Sequence, residues 1–486
     1  MRVQFRELLK HSGIYGVGQV LSRLTSVLLL PIYTRYLSRA DYGLLAILDL
    51  TVAVLGILLA TGLQRAVNRH HFDRRDAGYH NRLWWTGLGL LVTSLAIVVG
   101  PLWLLRDPLA RAVLGPEVAR SGHYLGLALI TLCFVSLEQL LQGHLRVQRR
   151  SRLLVGLSLG RLAVNATLNL YLLVGAGLGV EAVLWGNLVS AVVAAGVFFA
   201  IFARERGAWS FDRQLVASLA AYGGPLVLTS LMAVGMHQAD RYLLRVLLDL
   251  ASVGLYSVAY AIGHGINTLI LSPFSQIWYV VIYEVEGEDE SRVFYVEAFR
   301  HFVYVLGLIM LGVSLFAEPL LHMLVAPDFR AASDLVPIIC LGYLLFSLHT
   351  HFNVPALLTK RTRAIIVPHA LALVTNVVGN LLLIPVFGIF GAAWSTVATF
   401  AVFSISGLLV YRRIDRLPYP LAVCGSVIAG MTLSYLAWRG LAPEWSERPV
   451  VCAASAFAVW ALWAAVLLAP VLRRRFRSRA RSRVMT

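Results

Sequence analysis

The chain has 486 residues, of which 58% are hydrophobic and only 14% are charged. Soluble domains average about 25% charged residues, so this composition excludes a soluble globular protein and indicates one that lies in a lipid bilayer. A formal net charge of +17 would suggest nucleic acid as the partner of a soluble protein. In a membrane protein the same charge favours anionic lipid head groups, and nucleic acid is not an expected partner.

Fourteen apolar stretches of roughly 20 residues have the length that a membrane-spanning helix needs. They predict an all-α integral membrane protein with 14 transmembrane helices. We interpret the apolar run after the eighth stretch, from Pro273 to Tyr283, as an interfacial continuation. Numbered from the N-terminus as spans 1 to 14, the stretches cover residues 11–32, 42–64, 83–105, 122–145, 153–174, 180–203, 215–238, 250–272, 301–320, 332–358, 364–386, 389–411, 418–438 and 449–472.

The basic residues lie mostly on one side of these spans. If the N-terminus is cytoplasmic, the cytoplasmic segments carry 30 of the 42 lysines and arginines, and the opposite loops carry 10. The remaining two, Arg23 and Arg161, fall inside spans. Such an excess of positive charge is typical of cytoplasmic loops. The sequence therefore predicts a multi-pass protein with both termini in the cytoplasm.

The second half of the chain repeats the first at a constant offset of 211 residues. Gly43 corresponds to Gly254, and Asn165 corresponds to Asn376. One repeat contains six spans, an even number, so both copies enter the membrane in the same orientation. We predict two parallel six-helix lobes related by a pseudo-two-fold axis along the membrane normal, followed by two additional C-terminal helices and a basic cytoplasmic tail. These domains cover residues 1–211, 212–415, 416–472 and 473–486.

Span 1 carries a polar stripe within an apolar helix. Gln19 and Arg23 lie four residues apart and share one helical face. An arginine near the middle of a spanning helix costs about 2.5 to 3.5 kcal/mol on insertion scales, so it normally faces a wet cavity or a partner charge. We interpret the stripe as part of an anion-binding cavity. The alternative is a structural ion pair of Arg23 with Asp49 of span 2 or Glu138 of span 4.

Span 5 carries a second polar stripe, formed by Arg161, Asn165 and Asn169 at spacings of four residues. Span 11 repeats the asparagines, as Asn376 and Asn380, but not the arginine. Amide side chains in hydrocarbon satisfy one another across helices, which favours helix contact for the asparagines. For Arg161, a place in the cavity and neutralisation by Glu138 both remain open.

Polar and aromatic residues gather near the junction of spans 7 and 8. Arg241 lies at the outer end of span 7, and Tyr256 and Tyr260 lie near one face of span 8. Tyrosines of this kind can stack on sugar rings and donate hydrogen bonds to hydroxyl groups. They can equally pack helices together, and the sequence leaves both interpretations open.

Catalytic and nucleotide-binding motifs are absent from the sequence. The chain has no P-loop, and its four cysteines stand singly in apolar stretches. We therefore predict no enzyme activity, no cofactor and no metal site. Transport would then draw on an ion gradient, the membrane potential or the removal of product. Asp49 and Glu138 are candidate coupling carboxylates, and each is alternatively a fixed partner of an arginine.

The openings of the two halves carry recognisable local sequences. They are GQVLSR at residues 18–23, LPIYTRYLS at 30–38 and DYG at 41–43, then ADRYLL at 239–244 and GLYSVAY at 254–260. These stretches resemble the bacterial polysaccharide-biosynthesis flippases of the multidrug/oligosaccharidyl-lipid/polysaccharide exporter superfamily. The resemblance implies an inner-membrane protein that moves undecaprenyl-diphosphate-linked oligosaccharide to the periplasmic leaflet by alternating access, for O-antigen or exopolysaccharide synthesis.

The resemblance also implies site residues and partners. In related flippases an arginine of the first span lies in a cationic cavity suited to pyrophosphate, and Arg23 matches it by motif. Arg35, Arg161 and Arg241 are weaker matches. The implied partners are a polyprenyl-diphosphate-linked glycan, membrane lipids, H⁺ or Na⁺ as the coupling ion, and polysaccharide polymerase or glycosyltransferases.

Two other functions remain as alternatives. A cation-coupled multidrug exporter of the same superfamily would be expected to stop near twelve spans and to offer buried carboxylates to its cargo. A membrane glycosyltransferase or polymerase would be expected to carry a large outer loop. The longest outer loop here, from Arg106 to Ser121, is too short for a catalytic domain.

Overall fold

The computed structural model describes residues 29–287, 290–359, 361–441 and 450–465, and every regular element in these ranges is a helix. Twelve of the helices described there are long and apolar enough to cross a membrane. They coincide one by one with spans 2 to 13, which confirms the prediction of an all-α membrane protein. The predicted total of fourteen stays a prediction, because most of span 1 lies outside the described residues and span 14 is represented by the shorter helix Val450–Ala465.

The helices extend the predicted spans by a few residues at most ends. Span 2 begins at a capping box, in which the Ser38 hydroxyl accepts a hydrogen bond from the Asp41 amide at 3.1 Å and the Asp41 carboxylate accepts one from the Ser38 amide at 3.0 Å. A short helix, Arg106–Leu114, connects spans 3 and 4. In chain order, spans 2 to 13 are Arg39–His70, Ala77–Leu104, Ser121–Val147, Ser151–Gly175, Val180–Glu205, Arg213–Leu247, Leu250–Glu284, Ser291–Leu324, Val336–Leu358, Arg363–Phe387, Ile389–Tyr411 and Leu421–Gly440.

Span 8 differs from the prediction. Instead of ending near residue 272 before an interfacial segment, it continues as one helix to Glu284. A π-helical segment, Asn267–Leu271, precedes Pro273, which lies at the start of the following α-helical segment. Proline is tolerated in the first turn of a helix, where its missing amide hydrogen is not needed. The helix is therefore longer than the predicted span by twelve residues at its C-terminal end, and the interfacial position of residues 273–283 stays a prediction.

The chain divides into two compact units, residues 1–257 and 258–486. In the first unit, span 6 packs against spans 4 and 5; in the second unit, span 12 packs against spans 10 and 11. These two sets are related by the repeat. The contact boundary falls inside span 8 because span 7 packs on spans 2 and 3 of the first unit. The lobe boundary at residue 211 comes from sequence similarity and stays a prediction.

Large apolar side chains are exposed along the spans. Ile97, Leu382 and Leu433 each leave about two thirds of their surface uncovered, at 67%, 65% and 66%. Large exposed apolar surfaces are rare on soluble monomers. On spanning helices they are the surfaces that lipid chains cover.

Two glycines related by the repeat bring spans 2 and 8 into backbone contact. A Cβ atom added to Gly43 would overlap the carbonyl oxygen of Leu250 and lie 2.9 Å from the Gly254 amide nitrogen. A Cβ atom added to Gly254 would overlap the carbonyl oxygen of Arg39 and lie 3.0 Å from the Gly43 amide nitrogen. The contact is reciprocal, because Arg39 and Leu250 are also 211 residues apart.

We expect Gly43→Ala to lower the apparent melting temperature of the purified protein in detergent by several degrees. Alanine normally stabilises a helix by about 1 kcal/mol relative to glycine, but here its methyl group meets backbone that must move, and overpacking costs about 1 to 3 kcal/mol. Gly100→Ala is the matched control, since a Cβ atom there meets nothing within 4 Å in the described structure. Equal melting temperatures for the two variants would contradict the close contact.

Candidate functional site

Asp49 of span 2 is a carboxylate in the membrane-spanning region of the first unit. Its side chain is exposed, whereas the neighbouring Leu48 and Leu50 are buried. A charged side chain that faces lipid is strongly disfavoured, so an exposed Asp49 indicates a polar cavity on this side of span 2. Asp49 interacts electrostatically with Arg241 of span 7, which the sequence had not named as its partner.

Polar side chains of span 2 itself, of the residues before it and of span 5 lie near this pair. Tyr33 and Tyr42 both lie within electrostatic range of Asp49, and Tyr42 also of Arg241. The Tyr33 hydroxyl accepts a hydrogen bond from the Asn169 amide at 2.9 Å. We call Tyr33, Tyr42, Asp49 and Arg241 the span 2–7 cluster. Its one carboxylate and its one guanidinium carry opposite charges. Whether the cavity prefers anions or cations therefore depends on a further charged group.

A second carboxylate, Asp240, is buried beside the cluster. It accepts hydrogen bonds from the Tyr256 hydroxyl at 2.6 Å and from the Arg241 amide at 2.8 Å. Only 1% of its surface is exposed, and Tyr256 is fully buried. The hydroxyl groups of Thr51 and Tyr242, 2.6 Å apart, join spans 2 and 7 nearby. These contacts fix the orientation of the span 7 segment that carries Arg241.

The two tyrosines predicted to contact a sugar are both covered by protein. Tyr256 and Tyr260 expose 0% and 1% of their surfaces. The ring of Tyr260 lies 5.9 Å from that of Tyr343 in an edge-on arrangement and 6.2 Å from that of His264. A buried ring cannot stack on a sugar in this conformation. The burial favours helix packing, the other interpretation that the sequence allows.

Glu138 and Arg161 form an ion pair between spans 4 and 5. The Glu138 side chain is 1% exposed and that of Arg161 is 28% exposed. The carboxylate also accepts a hydrogen bond from the Gln142 amide at 2.8 Å. The structure thus favours neutralisation of Arg161 by Glu138, one of the two interpretations left open by the sequence.

The asparagines of spans 5 and 11 contact neighbouring helices. Asn165 donates hydrogen bonds to the side chains of Asn187 at 2.8 Å and Ser190 at 3.2 Å, both on span 6. In the second unit, the backbone carbonyl of Asn376 accepts a hydrogen bond from the Ser395 hydroxyl of span 12 at 3.2 Å. Equivalent helix pairs are therefore joined near the corresponding residues Asn165 and Asn376, although the second contact uses the backbone of Asn376 and a serine that is not the equivalent of Asn187 or Ser190. The side-chain contacts of Asn165 agree with a role in helix contact.

The remaining predicted site residues are in span 1 and just after it, where residues 29–36 are helical in the structure. Gln19 and Arg23 lie outside the described residues, so their role stays a prediction. Arg35 is described and its side chain is exposed.

A histidine cluster at the ends of spans 2, 3 and 4 was missed by the sequence interpretation. Burial is the largest of the causes that lower the pKa of His71 to about 4, and the neighbouring His80, Arg206 and His144 contribute to the same shift. The ring of His80 stacks on that of His71 at 4.0 Å, and Trp84 donates a hydrogen bond to His71 Nδ1 at 3.2 Å. His71 is thus neutral at pH 7 and acts as an acceptor. The cluster comes from separate helices, so no sequence spacing reveals it.

In the part of the chain that the structure describes, no three histidine, cysteine, aspartate or glutamate side chains come together as a metal site. Cys340, Cys424 and Cys452 are buried and Cys133 is half-buried, all as free thiols.

Comparisons with known proteins agree with a transporter fold. Residues 32–334 match the family described as polysaccharide biosynthesis protein. The EPS I polysaccharide export inner membrane protein EpsE of Ralstonia nicotianae (strain ATCC BAA-1114 / GMI1000) is 26% identical over an alignment of 268 residues that covers 51% of this chain. The match spans 58% of the length of that relative.

Two solved structures share the fold at low identity. The lipid II flippase MurJ in an inward closed conformation gives a TM-score of 0.76 at 10% identity, covering 96% of this chain and all of that chain. An inward-facing multidrug resistance MATE family transporter of the MOP superfamily gives a TM-score of 0.61 at 14% identity, covering 82% of this chain and 98% of that one. At such identities the likeness concerns the fold.

Proposed function

Because the chain belongs to the polysaccharide-biosynthesis flippase family of the multidrug/oligosaccharidyl-lipid/polysaccharide exporter superfamily, we propose that it flips undecaprenyl-diphosphate-linked oligosaccharide across the inner membrane for surface polysaccharide synthesis. The observation that carries the proposal is the span 2–7 cluster, where Arg241 and the exposed Asp49 indicate a polar cavity between spanning helices. Arg23 would add a second cation, giving a cavity that prefers a diphosphate.

We propose two six-helix lobes, residues 1–211 and 212–415, with two additional helices in residues 416–472. Three observations support this architecture. Span 6 and span 12 pack on equivalent neighbours. The π-helical segments Ile57–Thr61 and Asn267–Leu271 fall within one residue of equivalent positions. The reciprocal contact of Gly43 and Gly254 is of the kind that a two-fold axis generates.

The chain is a multi-pass protein of the inner membrane, and we propose that both its termini and the basic tail, residues 473–486, are cytoplasmic. The charge asymmetry of the loops supports this orientation. The ends of spans 3 and 4 next to the helix Arg106–Leu114 would then lie at the periplasmic surface.

If transport is coupled to an ion, Asp49 is a better candidate for the coupling carboxylate than Glu138. Glu138 is buried and already paired with Arg161, whereas Asp49 is exposed to the cavity, where H⁺ or Na⁺ could reach it. For a flippase, we propose as protein partners the polymerase or glycosyltransferases that use the same lipid-linked glycan.

Export of cationic drugs is the second candidate function, and the fold shared with a MATE transporter together with the exposed carboxylate of Asp49 favours it.

One experiment distinguishes glycan flipping from drug export. The full chain is reconstituted in liposomes that hold either an undecaprenyl-diphosphate-linked oligosaccharide or the cation ethidium. A glycosidase that does not cross the membrane digests only the outward-facing glycan.

We expect digestion to continue beyond the outer-leaflet fraction in liposomes that contain the protein and to stop there in protein-free liposomes, because flipping exposes the inner pool. Ethidium is expected to stay inside under an imposed pH or Na⁺ gradient. Ethidium efflux without glycan exposure would replace the flippase proposal with drug export.

A further inference from the structure

A polar pocket of about 370 Å³ lies where the helix Arg106–Leu114 meets the start of span 4. Arg106, Arg111 and Arg120 line it together with His123, and Asp107 is the only carboxylate among the residues described at its surface. Arg120 is paired with Glu181 at 3.0 Å. Neither Arg106 nor Arg111 belongs to any ion pair found among the described residues, so the pocket keeps positive charge for a ligand.

An apolar groove of about 720 Å³ adjoins this pocket on spans 3 and 4. Its walls carry no charged side chain among the residues described, and Trp103 and Leu104 at its edge are exposed. Gly100 forms an open part of the wall, with nothing within 4 Å of an added Cβ atom in the described structure. The full lining is Leu95, Ala96, Val99, Gly100, Pro101, Trp103, Leu104, Ile130, Cys133 and Phe134.

Trp103 and Arg106 connect the groove to the pocket. The Arg106 guanidinium lies over the Trp103 ring, 4.2 Å from its centroid. Gly126 of span 4 makes room for both, because a Cβ atom there would lie 3.1 Å from Arg106 Cδ and 3.4 Å from Trp103 Nε1. A tryptophan at the boundary between a polar and an apolar surface is typical of the membrane interface.

The charge of this pocket runs against the general distribution of charge in the chain. The opposite loops carry 10 lysines and arginines in all, and three of them are Arg106, Arg111 and Arg120. Positive charge is disfavoured on the non-cytoplasmic side of a membrane protein. Positive charge that is concentrated beside a lipid-facing groove favours a ligand with a negative head group and an apolar chain.

We propose that this pocket and groove together bind one anionic phospholipid of the surrounding leaflet, with its phosphate on Arg106 and Arg111 and an acyl chain along the groove. We assign a phospholipid as the ligand because the groove lies on lipid-facing helix surfaces, where the bulk lipids of the leaflet reach it directly. The proposal uses the proposed topology only to assign the periplasmic side. A bound lipid would hold the helix Arg106–Leu114 against span 4.

The test is native mass spectrometry of the full chain in detergent, titrated with phosphatidylglycerol. We expect one lipid to be retained tightly, and we expect Arg106→Gln with Arg111→Gln to weaken its binding roughly thirtyfold, since each basic residue contributes to attraction of an anionic head group. Arg412→Gln with Arg413→Gln is the matched control, as both side chains are exposed and stand outside the pocket; it should bind as the unaltered protein does.

Gly100→Phe tests the groove independently of charge. The added ring enters open space, so the protein should fold normally and still lose most of the phosphatidylglycerol adduct. Equal binding by all variants, or equally tight binding of zwitterionic phosphatidylcholine, would overturn the site. Undecaprenyl phosphate binding more than about tenfold tighter than phosphatidylglycerol would overturn the choice of occupant. The measurement needs neither cargo nor transport, so its failure leaves the flippase proposal standing.

Discussion

Arg23→Ala is expected to abolish the rescue of surface polysaccharide in a strain that lacks the gene for this protein, whereas Arg23→Lys is expected to retain part of it. A diphosphate that enters a cavity of low water content needs positive charge, and arginine also supplies a planar fork of donors that lysine lacks. The alanine variant removes both, and the lysine variant removes only the fork. Surface polysaccharide is measured at matched levels of membrane protein.

Arg412→Ala is the control, because it removes one exposed arginine outside the spans. It should rescue fully. Arg241→Ala extends the test to a residue that the structure places beside Asp49, and we expect a partial loss, since span 1 would still supply Arg23. Full rescue by Arg23→Ala would remove the anion site from the proposed mechanism.

The spans could be predicted from the sequence because length and apolarity are properties of each segment alone. Spans 2 to 13 each coincide with a helix. The end of span 8 could not be placed in this way, because a proline and interfacial aromatic residues also occur inside a helix that has changed its hydrogen-bond register.

Partners of charged residues depend on which helix faces meet, and a single sequence does not contain that information. Glu138 and Arg161 could be suspected of pairing because few charges lie in hydrocarbon. Asp49 had Arg23 as its suggested partner, yet Arg241 is the charge found beside it in the described structure.

The burial of the two tyrosines could not be predicted for the same reason. Tyr256 and Tyr260 share a face, but only helix packing decides whether that face meets a cavity or another helix.

The arginine pocket was also not predicted from the sequence. Arg106 and Arg120 stand fourteen positions apart, one in the helix Arg106–Leu114 and the other just before span 4. Gly122 and Gly126 make room for the side chains of Asp107 and Arg106 beside span 4.

The ion pair of Glu138 and Arg161 is expected to stabilise the protein rather than couple transport to an ion. Arg161→Gln leaves a carboxylate that is 1% exposed without its cation, and breaking a buried pair in this way typically costs about 3 to 5 kcal/mol. Glu138→Gln is expected to cost less, because Arg161 is 28% exposed and can reach water. The double variant should regain most of the lost stability, since two neutral amides can hydrogen bond with each other.

Thermal unfolding in detergent measures the stability of the two single variants and the double variant. The pair Glu297→Gln with Arg300→Gln is the control, because that ion pair, at 2.8 Å, has side chains 41% and 27% exposed. Such a pair contributes only about 0.3 to 0.5 kcal/mol, so its loss should hardly change the melting temperature. Flipping in liposomes under an imposed H⁺ or Na⁺ gradient then separates the two roles. Gradient dependence that persists in Glu138→Gln identifies Glu138 as the structural partner of Arg161, whereas loss of that dependence in a normally folded variant would make Glu138 the coupling carboxylate.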